Sequence, residues 1–186
     1  MAQVLQLQPD NEKAIAGMAR VYLADGDVDL AIGPLPQLKG GFFQRRLFRQ
    51  RYVALMNATH PLARHSTLSA AAYQRAAHVR VVSAGTAHGQ VDDALQRLGV
   101  VRRVQLTVPH YVALGHVLAS TRLVATVPER FADRAAAPFG LVARTLRLRL
   151  PGSTICQLWH EHQHRDPGHQ WLRAQVATLF ADRPPS

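Results

Sequence analysis

From residue 79 to about residue 130 the chain repeats one rhythm: a short aliphatic run, a turn, then apolar residues at helical spacing. Residues 79–82 give the first strand signal, and residues 85–89 the turn after it. Val91, Leu95 and Leu98 then share one helical face, which Gly99 ends. A second strand signal at 104–108 precedes the face Tyr111, Leu114 and Leu118, and a third at 123–127 precedes a helix opened by Pro128-Glu129. Pro109 suits a helix start, because the N–H it lacks has no partner there. Strands alternating with helices of this length predict parallel βα units, since parallel neighbours need a crossover of about a dozen residues.

The flanking segments carry weaker signals. Residues 4–7 alternate apolar and polar, as a short strand does. Pro9-Asp10-Asn11 opens a predicted helix with Ala14, Ile15, Met18, Val21 and Tyr22 on one face and Gly26 at its cap. Residues 28–32 predict a buried strand that stops at Gly33-Pro34, before a Pro- and Gly-rich loop to Gly41. Residues 47–56 look extended, His60-Pro61 marks a break, and Thr67-Leu68-Ser69 starts a short helix around Tyr73. Leu146 to Leu150 alternates leucine with arginine, as along a strand. Residues 154–159 also look extended, and Asp166-Pro167-Gly168 reads as a turn. Residues 9–30 approximate one tetratricopeptide helix pair, but nothing recurs 34 residues later.

Parallel α/β sheets hold ligands beyond the carboxyl ends of their strands, where helix N-termini offer free N–H groups to anions. Three such crossings follow one another here: 82–89, 107–111 and 125–129. His88 and His110 sit at two of the helix mouths. An imidazole there donates to a carboxylate, and its protonation is tunable. Tyr111 offers a ring for stacking. The pattern points to a small organic anion, with aromatic character favoured.

Composition narrows the classes. A hydrophobic fraction of 47% over 186 residues suits one domain or two small lobes with a real core. No apolar run approaches the length of a membrane span, and the first residues lack the pattern of a signal peptide. Cys156 is the single cysteine, so no internal disulfide forms and a cytoplasmic setting is expected. Net charge is +10, from 22 Lys and Arg against 12 Asp and Glu. The arginines are scattered, as on solvated faces, so basic charge alone does not make a nucleic-acid surface.

One catalytic alternative is present. His160-Glu161-x-x-His164 fits the zinc-hydrolase pattern, which requires a helix so that both histidines share a face and the glutamate activates water. Residues preceding it look extended instead, and an extended run would place His160, His162 and His164 on one side. No nucleophile elbow, dinucleotide fingerprint or P-loop occurs, so no cofactor is expected. Cys156 lies in an apolar run and reads as core.

The order of motifs resembles the effector-binding domain of LysR-type transcriptional regulators. Gly26-Asp27-Val28-Asp29-Leu30-Ala31-Ile32-Gly33 looks like that family's strand entry, and Tyr52-Val53 through His60-Pro61-Leu62 like its next strand and break. Gly85-Thr86-Ala87-His88-Gly89, Arg102 to His110, Ala125 to Arg130, Trp159-His160 and Asp166 to Arg173 are similar to a subgroup regulating nodulation and aromatic degradation. The resemblance covers residues 24–180. It implies an α/β, type II periplasmic-binding-protein-like fold with two Rossmann-like lobes and two crossovers. Lobe one would comprise 1–64 and 154–186, lacking its first strand and helix, and lobe two 65–153. Effector would contact Gly33 and Pro34 from lobe one, and His88, Pro109, His110, Tyr111 and Val127 from lobe two, in a cleft between them. The resemblance further implies a non-enzymatic dimer or tetramer, with DNA reached through a helix-turn-helix domain not found in this sequence. A free-standing solute-binding or decoy subunit is the remaining alternative.

Overall fold

The computed structural model describes residues 12–34, 40–82 and 88–180. The expected strand at 4–7, the helix opening at Pro9 and the turn around Gly85 lie outside these residues. The chain divides into two compact units, one built from Asn11–Arg49 and Ser153–Ser186, the other essentially from Gln50–Gly152. Both are α/β. Residues 50–64, grouped with lobe one in the sequence reading, pack in the second unit, where they supply a central strand.

The second unit is a six-stranded mixed sheet. Its strands are β3 (Tyr52–Asn57), β4 (Thr67–Leu68), β5 (Ala77–Val81), β6 (Arg103–Val108), β7 (Leu123–Pro128) and β8 (Leu141–Leu146). They lie in the order β4-β8-β3-β7-β5-β6. β5 pairs parallel with β6 and with β7, as the alternating rhythm predicts. β3 runs antiparallel to both β7 and β8, which makes the sheet mixed.

Side chains alternate across this sheet with the period of two that a strand dictates. Val53, Leu55, Ala125 and Val127 face a core shared with α4 (Leu114–Ala119) and α5 (Glu129–Phe139). Ala54, Met56 and Val124 face the opposite core, with α2 (Ala70–Arg75) and α3 (His88–Arg97). Leu55, Leu114, Leu118 and Val124 have no exposed surface, each burial stabilising by about 1.5–3 kcal/mol.

Ser69 caps α2, its hydroxyl accepting from the Ala72 N–H at 3.2 Å. Thr67-Leu68 is a strand rather than part of that helix, because it pairs in parallel with Thr145 and Leu146. Beyond Leu146 the expected strand stops, and residues 147–150 are irregular. The Arg147 N–H still donates to Leu68 O of β4 at 2.9 Å, and past it the Leu/Arg alternation reflects side-chain burial alone.

Tyr73 is fully buried, and its hydroxyl lies 2.5 Å from Thr126 Oγ1. Burial pushes the phenol's pKa up. Tyr73→Phe leaves a buried hydroxyl without its partner, so a loss of about 1–2 kcal/mol is expected in urea denaturation. An unchanged midpoint would show that this bond contributes nothing.

The first unit is a three-stranded sheet in the order β1-β9-β2, from β1 (Ala31–Gly33), β2 (Phe42–Gln50) and β9 (Ser153–His160). β1 is antiparallel to β9, with Ala31 opposite Leu158 and Gly33 opposite Cys156. α1 (Glu12–Asp25) buries Leu23, while Val21, expected on the inner face, is 53% exposed. Asp166-Pro167-Gly168 is a helix start rather than a turn. The Asp166 carboxylate accepts from the His169 N–H at 2.6 Å and Pro167 opens α6 (Pro167–Phe180). Buried Arg173 on α6 ties the unit together, donating to the carbonyls of Gln163 (3.0 Å) and His164 (2.9 Å) and lying 4.5 Å from the Trp159 ring centre.

Candidate functional site

In the second unit, parallel β5, β6 and β7 end on one edge, where anions are held in sheets of this kind. Val82 N donates to Val108 O at 2.9 Å, which joins the ends of β5 and β6. Pro109 and His110 follow β6 directly, and both are exposed. His110 has extended backbone (φ −142°, ψ 151°) before a 3-10 turn at Tyr111–Ala113, and its ring makes no capping hydrogen bond. The expected helix therefore begins with a 3-10 turn and becomes α-helical only at Leu114. The imidazole of His110 faces solvent.

The other candidates have different surroundings. Tyr111 is half-buried, its ring 4.8 Å from Phe131 and packed on the core, so only part of it meets solvent. Val127 has no exposed surface and lies opposite Val53 inside the sheet. Its burial follows from strand register, which a single sequence does not reveal. His88 is the first residue of α3, and its side chain lies outside what is described. In the first unit Gly33 ends β1 and Pro34 follows, both half-buried.

The His160–His164 segment lacks the helix that zinc hydrolysis requires. β9 ends at His160, and Glu161–Gln163 is a 3-10 turn. His164 Nδ1 accepts from Trp159 Nε1 at 3.3 Å, and its ring stacks on Phe43 with centres 3.8 Å apart. The two histidines serve separate packing roles. Gly41 (φ 80°) fits closely here, since a Cβ would come within 3.2 Å of His160 Nε2. Among the described residues no three His, Cys, Asp or Glu side chains converge as a metal site. The hydrolase reading is without support.

A feature missed by sequence reasoning lies on the opposite edge of the same sheet. Arg75, Arg103 and Arg122 line a concavity of about 530 Å³. They are separated by 28 and 19 positions in the chain (75 to 103, 103 to 122), so no local motif signals them. His60, buried beside them, accepts at Nδ1 from the Leu62 N–H at 3.0 Å. Burial, and next the charge of Arg122, push its pKa down against a hydrogen bond to the Arg122 backbone.

Residues 13–181 match the LysR substrate binding domain. The HTH-type transcriptional activator NagR of Ralstonia sp is 45% identical over 180 residues, 97% of this chain and 58% of that protein. The activator NahR of Pseudomonas putida is 46% identical over 160 residues, 86% of this chain and 53% of that protein. The chain thus spans a little over half the length of these curated relatives. The regulatory domain of MexT, a transcriptional activator in Pseudomonas aeruginosa, matches with a TM-score of 0.68 at 28% identity, over 86% of this chain and 78% of that one. The fold is the type II periplasmic-binding-protein-like fold of such regulatory domains. The chain belongs to the LysR substrate binding domain family.

Proposed function

We propose that this chain is the effector-sensing and oligomerising part of a cytoplasmic transcriptional activator, and that its effector is a small organic acid with an aromatic body. The observation that carries this reading is the exposed, uncapped imidazole of His110 where parallel strands end together, in a chain of this family. His110 donates to the carboxylate, and Pro109 and the exposed part of Tyr111 meet the acid's body. His88 contributes from the start of α3. Val127 supports the edge from beneath. Effector shifts the population of a conformer that dimer or tetramer contacts pass to a helix-turn-helix domain, which alone touches DNA. Neither a cofactor nor catalysis is required.

Benzoate, the simplest aromatic acid, is the first probe. At a hundredfold excess over Kd, binding adds about 2.7 kcal/mol. At about 2–4 °C per kcal/mol for a chain of this size, Tm rises by about 5–10 °C. His110→Ala is expected to remove most of that shift while leaving the unliganded Tm unchanged within about 1 °C, because the side chain is exposed. No shift across benzoate and its hydroxylated derivatives, at matched ionic strength, would defeat the proposal.

A further inference from the structure

The concavity on the opposite edge of the second unit's sheet is not used by this reading. It lies at the amino ends of β5, β6 and β7, where Ala77, Arg103 and Leu123 begin their strands. The proposed effector edge is at the carboxyl ends of the same strands. β3 runs antiparallel to β7, so its own carboxyl end brings His60 to this same edge.

The lining has two chemical parts. Leu62, Ala72, Ala76 and Leu123 form an apolar portion. Around it stand Arg75, Arg103 and Arg122, with Gln105 and Thr121 as neutral hydrogen-bonding groups. Among the described residues no carboxylate lines the concavity. No carboxylate among them pairs with these three guanidiniums either, whereas the neighbouring Arg102 is paired with Asp92. Three uncompensated cations in one concavity repel one another, and a bound anion relieves that repulsion. His60 and His78 both sense the cations. Burial is the larger cause of each depressed pKa, with Arg122 acting on the first, and Arg102 and Arg103 on the second.

Guanidinium favours planar, bidentate oxygen pairs, which carboxylates and phosphates present. A single carboxylate would leave most of the charge unmatched. A volume of about 530 Å³ also exceeds what an inorganic ion fills and lies within the usual range for small organic ligands. We propose that this concavity is a second ligand site, specific for a small organic dianion with an apolar body, held by Arg75, Arg103 and Arg122. Its ligand is a phosphate monoester or a dicarboxylate, and binding there is independent of His110.

The test is an amide NMR titration of the whole chain with phenyl phosphate, phthalate and inorganic phosphate at constant ionic strength. Saturable binding of phenyl phosphate or phthalate is expected, with the largest shifts at Ala77, Gln105 and Thr121. The tighter of the two identifies the headgroup, and inorganic phosphate should bind at least tenfold more weakly because it leaves the apolar portion empty. Arg103→Gln combined with Arg122→Gln should weaken the organic dianion at least tenfold. These side chains are exposed, so the variant's Tm should hold, and His110→Ala should bind as the parent does. Absence of saturable binding by both organic dianions, equal affinity in the double variant, shifts centred elsewhere, or occupation by duplex DNA alone would overturn the proposal.

Discussion

Stability is expected to fall by about 3 kcal/mol between pH 7 and pH 4, with His78 as the principal cause. His78 begins the run of buried residues in β5 and has no exposed surface. Its Nε2 lies 2.8 Å from the Tyr73 carbonyl, and its ring centre 4.5 Å from that of Tyr73. Burial holds its pKa down at about 4 against the ordinary 6.5 of a histidine, the Tyr73 carbonyl acting in the opposite direction and Arg102 adding to the depression. The unfolded chain therefore binds a proton that the folded chain refuses throughout the window from 6.5 to 4. Stability is complete above pH 6.5 and is lost progressively as pH falls toward 4. At 1.36 kcal/mol per pH unit, that window corresponds to about 3 kcal/mol. His60, whose pKa is also lowered, contributes with the same sign. Urea midpoints at pH 7, 5.5 and 4.5 measure the slope. His78→Gln keeps a donor for Tyr73 but does not titrate, so it should flatten most of the dependence. A variant that retains the full slope would place its cause elsewhere.

Gly115→Ala is expected to destabilise the chain by a net 1–3 kcal/mol or so, although alanine is the better helix former by about 1 kcal/mol. Gly115 is buried in α4, and a Cβ there would lie 2.5 Å from Cδ2 and Cε2 of Phe139 and 2.8 Å from its Cγ. Phe139 is itself held edge-on by His116, with ring centres 4.8 Å apart. The ring packs against the core, so making room for the added methyl group costs those contacts. Either α4 moves off α5 or the ring leaves its packing. α4 continues directly from the Tyr111–Ala113 turn, so its movement displaces His110 and should also reduce the benzoate-induced rise in Tm. Phe139→Ala in the same chain makes room for the methyl group. The double variant should thus be more stable than the two single losses predict, a coupling of neighbours that a double-mutant cycle measures. Strict additivity, or a stabilising Gly115→Ala, would contradict the packing described.

Much of the second unit was legible because its signals are local. The apolar runs that became β5, β6 and β7, and the helical faces between them, specify parallel pairing before any coordinate is known. The antiparallel entry of β3 between β7 and β8 was not legible, since strand order arises from contacts far apart in the chain. Local signals also misled where two structures share them. Asp166-Pro167-Gly168 carries turn residues, but the same Asp and Pro cap and open α6. Pro109 satisfies the same rule, and the helix after it is delayed by a 3-10 turn. The His160–His164 match dissolved for a related reason: His spacing is visible in sequence, but the backbone that gives it meaning is not.

The candidate site divides along the same line. His110 was identifiable from its position after an aliphatic run and a proline, and the structure leaves it exposed. Val127 stands just before the proline that ends β7, as Val108 stands before Pro109, and register with Val53 turns it inward. Arg75, Arg103 and Arg122 look like scattered surface charge in sequence and become neighbours only when three strand starts align.

The central claim is that an aromatic acid is sensed where β6 ends at His110. Amide NMR on the whole chain titrated with benzoate examines it residue by residue. The strongest perturbations are expected on His110, Tyr111 and Val112, and His110→Ala should suppress them. Saturable benzoate binding whose perturbations centre instead on the amino ends of β5, β6 and β7, or that is untouched by His110→Ala, would contradict it.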